Sequence, residues 1–365
     1  MTYIGNIAQA YSQDESTVRE DLADLIAIMS PVDMPLFSIL AHTPIYQRKF
    51  EWAMDNIPFD NDPGNIGSYT QFEGKDASFE AAQHRQRPWS LAQINSIAID
   101  VSDTARVVDM VGTEDEFEYQ IWRRLLELGR RMEFAAHWAG GRETTAGQDQ
   151  TDLGRVTHGL CRWIAQTGLK RAQGASSELL FGSGPTITSD YFSTFYDAAG
   201  TDLSRSILFN NILAPAWRNG FNVGGCFIFS GAQLKQFATE FSVFGNTSLN
   251  FREVAAEAKI LYDTIDVIDT NLGPVYWNLD RYLDIAQSIT LNGYGPTSPF
   301  ANVTVPLNET LIAIEPRFFQ LGMLRGVGFK PLAPVGDSTK GLLVGEWGLK
   351  VLNPIAGTGG TNLVA

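Results

Sequence analysis

The sequence predicts an α+β protein organised around one long helix, and three observations lead there. Residues 113–141, TEDEFEYQIWRRLLELGRRMEFAAHWAGG, draw a single apolar stripe at steps of three and four. Two runs of period-two alternation, starting at Tyr46 and Trp89, stand roughly thirty polar residues apart, an uncommon length for a connection in a compact domain. From residue 161 helix-like and strand-like segments mix, and the chain after Thr310 reads as strand almost throughout.

Taken in order, residues 1–45 form an arm rather than a domain. The stretch STVREDLADLIAIM, residues 16–29, reads as a short amphipathic helix capped by Ser16, with Val18, Leu22, Leu25, Ile26 and Met29 on one side. Pro31, Pro35 and Pro44 then break the path. In the hairpin over 46–101, Tyr46, Arg48, Phe50, Trp52 and Met54 alternate with Gln47, Lys49, Glu51 and Asp55. The returning run places Trp89, Leu91, Ile97, Ile99 and Val101 on one face. A long hairpin with a polar tip has nothing of its own to pack on, so it is expected to lie on another chain. Its aromatics Trp52, Phe59 and Phe72 read as subunit-contact groups rather than a sugar platform.

The long helix is expected over 113–141. Thr113 and Glu116 stand at capping-box spacing, and Glu114, Asp115, Glu116 and Glu118 place negative charge at the positive end of the helix dipole. Phe117, Ile121, Leu125, Leu128, Met132 and Ala135 draw the stripe, and Gly140 and Gly141 end it. Such a helix is about 40 Å long at 1.5 Å per residue and serves as a spine. Arg123, Arg124, Arg130 and Arg131 interleave with acids at helical spacing, which describes a solvated face laced with ion pairs rather than a nucleic-acid patch.

Residues 142–159 read as a polar connection, and GLCRWIAQTG opens a new packed unit. Within it, SDYFSTFYDAAG, DLSRSILFNNILAPAWRNG and AQLKQFATEF read as helices, and GGCFIFSG as a short buried strand. The run ILYDTIDVIDTNLGPVYWNLDRYLDIA resembles paired strands around an Asn-Leu-Gly-Pro turn. After Thr310 come TLIAIEPRFFQLGML and, beyond a Gly-Asp-Ser turn, TKGLLVGEWGLKVLNP.

Composition describes a globular chain: 365 residues, 44% hydrophobic and 19% charged, enough for sizeable cores. A formal net charge of -14 argues against holding nucleic acid by phosphate neutralisation. The N-terminus shows no signal peptide, and no uncharged apolar stretch reaches the roughly 18 residues of a membrane span. Cys161 and Cys226 read as buried thiols, and the chain fits a reducing cytoplasm when it is made. His42, His84, His137 and His158 have no ligand spacing; no nucleotide loop, nucleophile elbow or paired cysteines occur. Asp263, Asp266 and Asp269 recur every third residue, but in a strand-and-turn setting they face solvent or cap turns. No catalytic, cofactor-binding or metal-binding residue is assigned, no cofactor is expected, and no enzymatic activity is predicted.

Several stretches together, REDLADLIAIMSPVDMPLFSIL, FEWAMDNI, EGKDASF, GLCRWI and PLAPVGDSTKGLLVGEWGLKVLNPIAG, resemble those of the major capsid proteins of tailed bacteriophages, in the phage capsid-like branch. They span nearly the whole chain in the order of that family's parts. The resemblance implies the Hong Kong 97-like fold: an N-terminal arm (1–45), an E-loop hairpin (46–101), a peripheral domain (102–160) carrying the spine helix, an axial domain (161–309), and strands returning to the peripheral domain with a C-terminal tail (310–365). It also implies hexamers and pentamers of itself in an icosahedral virion shell, assembled in a host bacterial cytoplasm. That shell would enclose double-stranded DNA without sequence-specific binding, with portal, scaffolding and cement proteins as further partners and no membrane. An acidic lining would leave packaged DNA free to move, and interior-facing residues that proved strongly basic would contradict this.

No removed propeptide is expected, and the short arm before the hairpin leaves no room for a fused scaffolding domain, hence a separate scaffold or none. The alternatives are an encapsulin-like compartment, distinguished by the absence of nucleic acid from particles, and a soluble hydrolase, which needs paired carboxylates at a cleft. Lys75 and Asn353 are the residue types of the Lys–Asn crosslink found in some members of the wider fold, but their types alone set no geometry, and no crosslink is expected. Purified particles boiled in detergent should therefore run as a single monomer band; a ladder of oligomers would refute this.

Overall fold

The computed structural model describes residues 34–55, 70, 73–76, 85–108, 115–142, 154–172, 177–179, 186–236, 238, 266–291, 303–334 and 336–364. The helix expected over 16–29, together with Phe59, Phe72, His84, Thr113 and Asp263, lies outside them.

The described chain opens with a short helix, α1 (Pro35–Ile39), and a strand, β1 (Ala41–Pro44). The hairpin base follows as β2 (Lys49–Glu51) and β3 (Trp89–Leu91), paired antiparallel with Phe50 opposite Ser90. The alternation at 50–54 thus gives only a three-residue strand, prolonged by a single bridge from Met54 to Gln86. It is nonetheless a true inside–outside pattern: Phe50, Trp52 and Met54 are buried while Glu51, Ala53 and Asp55 are exposed. Strand β4 (Gln93–Ser102) behaves as its pattern predicts, with Ile97, Ile99 and Val101 buried. A short helix, α2 (Asp103–Val107), is capped by the Ser102 side chain.

The spine is α3 (Glu116–Trp138), 23 residues long. Its cap is Asp115, whose carboxylate accepts the Phe117 N–H at 2.9 Å and is held in place by Arg106 at 2.6 Å. The helix therefore begins at Glu116 with an Asp cap, and the expected pairing of Thr113 with Glu116 falls outside the described residues. The buried stripe also rotates along the helix. Phe117, Leu128 and Met132 are inward as expected, but Leu125 is 43% exposed, and the last turns bury Glu133, Ala136, His137 and Trp138. The outer face carries the expected ion pairs, with Glu127 bridging Arg124 at 2.6 Å and Arg131 at 2.5 Å.

After the spine, β5 (Gly140–Arg142) pairs with β6 (Val156–His158). A π-helical segment, Arg162–Gln166, runs into α4 (Thr167–Ala172), and β7 (Ser177–Leu179) pairs with β8 (Thr186–Thr188). The segment expected to open a separate unit is buried in the same core as the spine: Leu160, Trp163, Ile164 and Leu169 pack with Phe50, Trp52, Leu128 and Trp347.

The run SDYFSTFYDAAG is not a helix. Past one short turn it is β9 (Thr194–Asp202), which runs parallel to the last strand of the chain. Aromatic and β-branched residues here meet a sheet edge contributed from far along the sequence, and that tertiary contact outweighs the local helical spacing. The next helix stands where expected, a π-helical turn over Ile207–Leu213 continuing into α5 (Ala214–Arg218). Strand β10 (Phe227–Ser230) is buried, and residues 232–236 are helical. Strands β11 (Val267–Thr270) and β12 (Gly273–Leu279) form the expected hairpin. Then β13 (Ser288–Leu291) pairs with β14 (Val303–Pro306), followed by β15 (Leu311–Ile314), β16 (Phe319–Pro331), β17 (Ser338–Val351) and β18 (Gly357–Val364).

Two main sheets result. One has the order β1-β16-β17-β4, and the spine packs across β4 and β17. The other has the order β11-β12-β10-β15-β18-β9. Its central strands are a wall between two cores. Phe229, Ile312 and Ile314 face the core that holds the spine, whereas Ile228, Leu311 and Ala313 face a second core made with Leu208, Ile212, Val275 and Trp277. This two-sided burial explains why β15 has all four residues buried and reads as an unbroken apolar run.

The four-stranded sheet and the hairpin base meet at Gly348. A β-carbon there would meet the Leu91 carbonyl at 2.5 Å and the Phe50 ring at 2.8 Å. Gly348→Ala should destabilise the protein by about 1–3 kcal/mol through forced displacement of β3. Gly326→Ala, where a β-carbon meets nothing within 4 Å, should stay within about 0.5 kcal/mol of the parent. Equal denaturant midpoints for the two variants would refute the close approach.

Candidate functional sites: the hairpin root, the sheet edge and a buried charged cluster

Three features could serve a function, and the hairpin root comes first. Phe50 stacks on Trp52 at 6.0 Å, and Trp52 packs against Trp163 at 5.7 Å. Trp52 is therefore a core residue at 8% exposure, which corrects its expected role as an exposed contact group. The alternation placed it on a face correctly; only the fold shows that this face is covered by the chain's own 160–169 segment. On the outer side the strands are tied by Arg87–Glu51 at 2.8 Å, Arg85–Asp55 at 3.1 Å, and the Lys49 ammonium 4.1 Å above the Trp89 ring. These exposed pairs set direction more than they stabilise.

Below the root lies a polar layer. His158 Nδ1 is 3.2 Å from the Ser90 hydroxyl, and the Leu349 N–H donates to Thr157 Oγ1 at 3.0 Å. Burial, with the nearby Arg162 cation, pushes His158 down to about 3, so it is a neutral structural ring at any ordinary pH.

The second feature is the far end of β16. Strand β1 pairs only with residues 320–323, so the edge beyond Leu324 has no strand partner among the described residues. Val327, Phe329 and Leu332 are 38%, 39% and 44% exposed there. Behind the edge, Glu346 is nearly buried and is bracketed by Arg155 at 2.6 Å and Arg325 at 2.9 Å, which holds β16 and β17 in register. An apolar, partly unpaired edge of this kind suits addition of a further strand or loop.

The third feature is a fully buried trio, Glu133, His137 and Asp280. Glu133 and His137 stand one turn apart on α3, and Asp280 begins the turn after β12. The Glu133 carboxylate accepts the Leu36 N–H at 2.6 Å and the Phe37 N–H at 3.1 Å, so it caps α1 from the side. Asp280 caps its own turn by accepting the Tyr282 N–H at 2.8 Å. His137 Nε2 lies 2.6 Å from Asp280 Oδ2 and 3.9 Å from Glu133 Oε1. Nothing in the sequence's ligand spacings pointed to this trio, because Asp280 is far from the helix in the chain; two polar residues at i,i+4 on the rotating stripe were the one local signal.

The trio is of the metal-ligating kind, but its geometry does not fit a tetrahedral ion. Donors about 2.0–2.2 Å from zinc stand roughly 3.3 Å or more apart, wider than the 2.6 Å gap here. Both oxygens of Glu133 are also already engaged by backbone amides. The other sequence-level candidates lead nowhere chemical. His42 is exposed, Asp266 pairs with Lys235 at 2.7 Å, and Asp269 is exposed on β11. Burial holds Cys161 and Cys226 up to about 12, so both are unreactive thiols. Lys75 is exposed, and Asn353 uses its side chain to cap the turn at Ile355.

The arrangement of arm, hairpin, spine and two sheets recurs in solved phage shells. The cyanophage A-1(L) capsid subunit matches with 12% identity over 95% of this chain and 98% of its own, at a TM-score of 0.59. The mature capsid of bacteriophage PhiM1 matches with 7% identity over 98% and 96%, at 0.52. The capsid of the native GTA particle matches with 10% identity over 98% and 100%, also at 0.52. At such identities these likenesses show the fold, which is Hong Kong 97-like, as the order of the sequence elements implied. No curated protein matches the chain. A family description, the SU10 major capsid protein, matches residues 4–363. The chain belongs to that family of major capsid proteins, and its place is the shell of a phage virion.

Proposed function

We propose that the chain closes into hexamers and pentamers of an icosahedral shell around double-stranded DNA. In this reading residues 46–101 are an E-loop lying over a neighbour's peripheral domain (102–160), and 161–309 form an axial domain meeting its copies at the capsomer centre. Residues 1–45 are the arm, and 310–365 return to the peripheral domain. The observation that carries the reading is the hairpin root: β2 and β3 are fixed in the chain's own core, while roughly thirty residues of polar chain extend beyond the Met54–Gln86 bridge. A rigid root aims such an excursion at a neighbour, and a closed ring repeats the contact until modest interfaces sum to a stable shell. The open β16 edge, with Val327, Phe329 and Leu332, is a second surface for a neighbouring copy.

The role is structural and not catalytic. The trio at Glu133 is sealed from solvent, with no exposure of the Glu133, His137 or Asp280 side chains, so it offers a substrate no approach. A formal charge of -14 suits a container that holds DNA without gripping it. Portal, scaffolding and cement proteins complete the set of proposed partners.

Negative-stain electron microscopy with light scattering on the chain expressed alone or with its scaffold should show closed particles or rings of five and six. Replacing residues 60–80 by a short Gly-Ser link should leave the thermal midpoint within a few degrees, since the root is retained, yet abolish closed particles. Shells that form unchanged without those residues would refute the E-loop assignment.

A further inference from the structure

The trio at the end of the spine joins three parts of the chain that are distant in sequence. Leu36 and Phe37 of α1 donate to Glu133; His137 comes from the same helix as Glu133; Asp280 comes from the turn that follows β12. The trio joins α1 to the spine and the spine to the six-stranded sheet. Around it stand the Phe229 ring, 6.1 Å from the His137 ring, and Tyr282, whose backbone carbonyl accepts the Trp138 indole N–H at 3.0 Å. Among the described residues, the Tyr282 hydroxyl feels the Glu133 and Asp280 charges and is bonded by the Arg130 guanidinium; α1 brings no titratable group.

We propose that this trio is a proton-held latch: a proton on His137, lying between the Glu133 and Asp280 carboxylates, keeps the 34–40 segment on the spine, and its loss at alkaline pH releases that segment. The proposal is independent of the shell reading, since every group it invokes belongs to one chain.

The geometry sets the mechanism. Two carboxylates and one imidazole have donor and acceptor atoms within 4.8 Å of one another, all without exposure. With the proton present, an imidazolium lies between two carboxylates and offsets one of their charges. Without it, two like charges remain buried beside a neutral ring, a state that burial in low dielectric penalises heavily. The relief open to the chain is for Glu133 to reach water, which breaks its bonds to Leu36 and Phe37. The 34–40 segment is the part that yields, because its five-residue helix and cap bury only Leu36 and Leu40 in the main core, whereas the 23-residue α3 enters that core along its whole length and β12 is paired on both sides in its sheet.

The directions of the shifts agree. Burial raises Glu133 to about 7, with the His137 charge and the Leu36 amide pulling the other way. Burial alone would strip the proton from His137, but Asp280 and then Glu133 outweigh it and raise the group above its ordinary 6.5. Both are raised in the folded chain, so their stabilising effect is complete below the unfolded values and is lost as pH rises through the folded ones. For Glu133 that loss runs from 4.5 to about 7 and leaves the imidazolium between two carboxylates; for His137, whose proton holds the latch, it begins near 6.5 and extends upward, and this is the window for release.

The test is hydrogen–deuterium exchange of the full chain between pH 6 and 9, read on peptides covering 34–40 and on the central strand β15 (311–314) as reference, with intrinsic rates corrected. The wild type should lose at least tenfold protection at 34–40 across this range while 311–314 is unchanged. Asp280→Asn keeps the cap on Tyr282 but removes one charge, so its 34–40 profile should be flat. His137→Gln should show low protection at every pH. A flat wild-type profile, an Asp280→Asn profile parallel to the wild type, or loss of protection at 34–40 and 311–314 together would each overturn the latch.

Discussion

Everything in this protein hangs on a sheet that must be covered on both faces. Strands β10 and β15 alternate side chains into two different cores, with Phe229, Ile312 and Ile314 on one side and Ile228, Leu311 and Ala313 on the other. A sheet with two apolar faces is stable only when both are packed, at roughly 25 cal/mol for each Å² of apolar surface removed from water. The spine, hairpin root and 160–169 segment pack in the core on one side; the 207–218 helix, with Leu234, packs on the other. The C-terminal strand β18 extends the same wall between β15 and β9.

This arrangement also fixes the base from which the chain between β2 and β3 departs. At that base Phe50 and Trp52 sit in the main core and Leu91 is buried. The tight crossing at Gly348 fixes the angle of departure. For a shell subunit the consequence is mechanical. Contacts made by a projection carry little geometric information unless its base is stiff, and closed symmetry requires that each copy present the same angle.

The buried trio has the opposite character. Glu133, His137 and Asp280 make few ideal contacts, and the cluster keeps charge where charge is costly. What it achieves is linkage: a segment of the N-terminal arm, the spine and the six-stranded sheet meet at three side chains. Where apolar packing would join the same pieces irrespective of conditions, charged groups make the junction depend on a proton. Close approach helps, since Gly129 leaves room for Met34 to lie against the spine.

By itself the sequence determined the parts that rest on local periodicity and turn chemistry. The spine, β4, the buried strand at Phe227–Ser230, the β11–β12 hairpin and the long final strands were legible because each carries its own 3.6- or two-residue pattern. The order of those parts carried the family. Tertiary structure alone decided the rest. It made residues 194–202 a strand, since the partner that selects this state, β18, is more than 150 residues away in the chain. It set the spine's first turn at Glu116, where Asp115 is the cap and Arg106 braces it from outside the helix. It turned Trp52 inward by supplying Trp163 to cover it. It brought Asp280 to His137, a meeting of side chains that no spacing along the chain encodes. Periodicity records which face of an element is apolar; what covers that face depends on long-range packing.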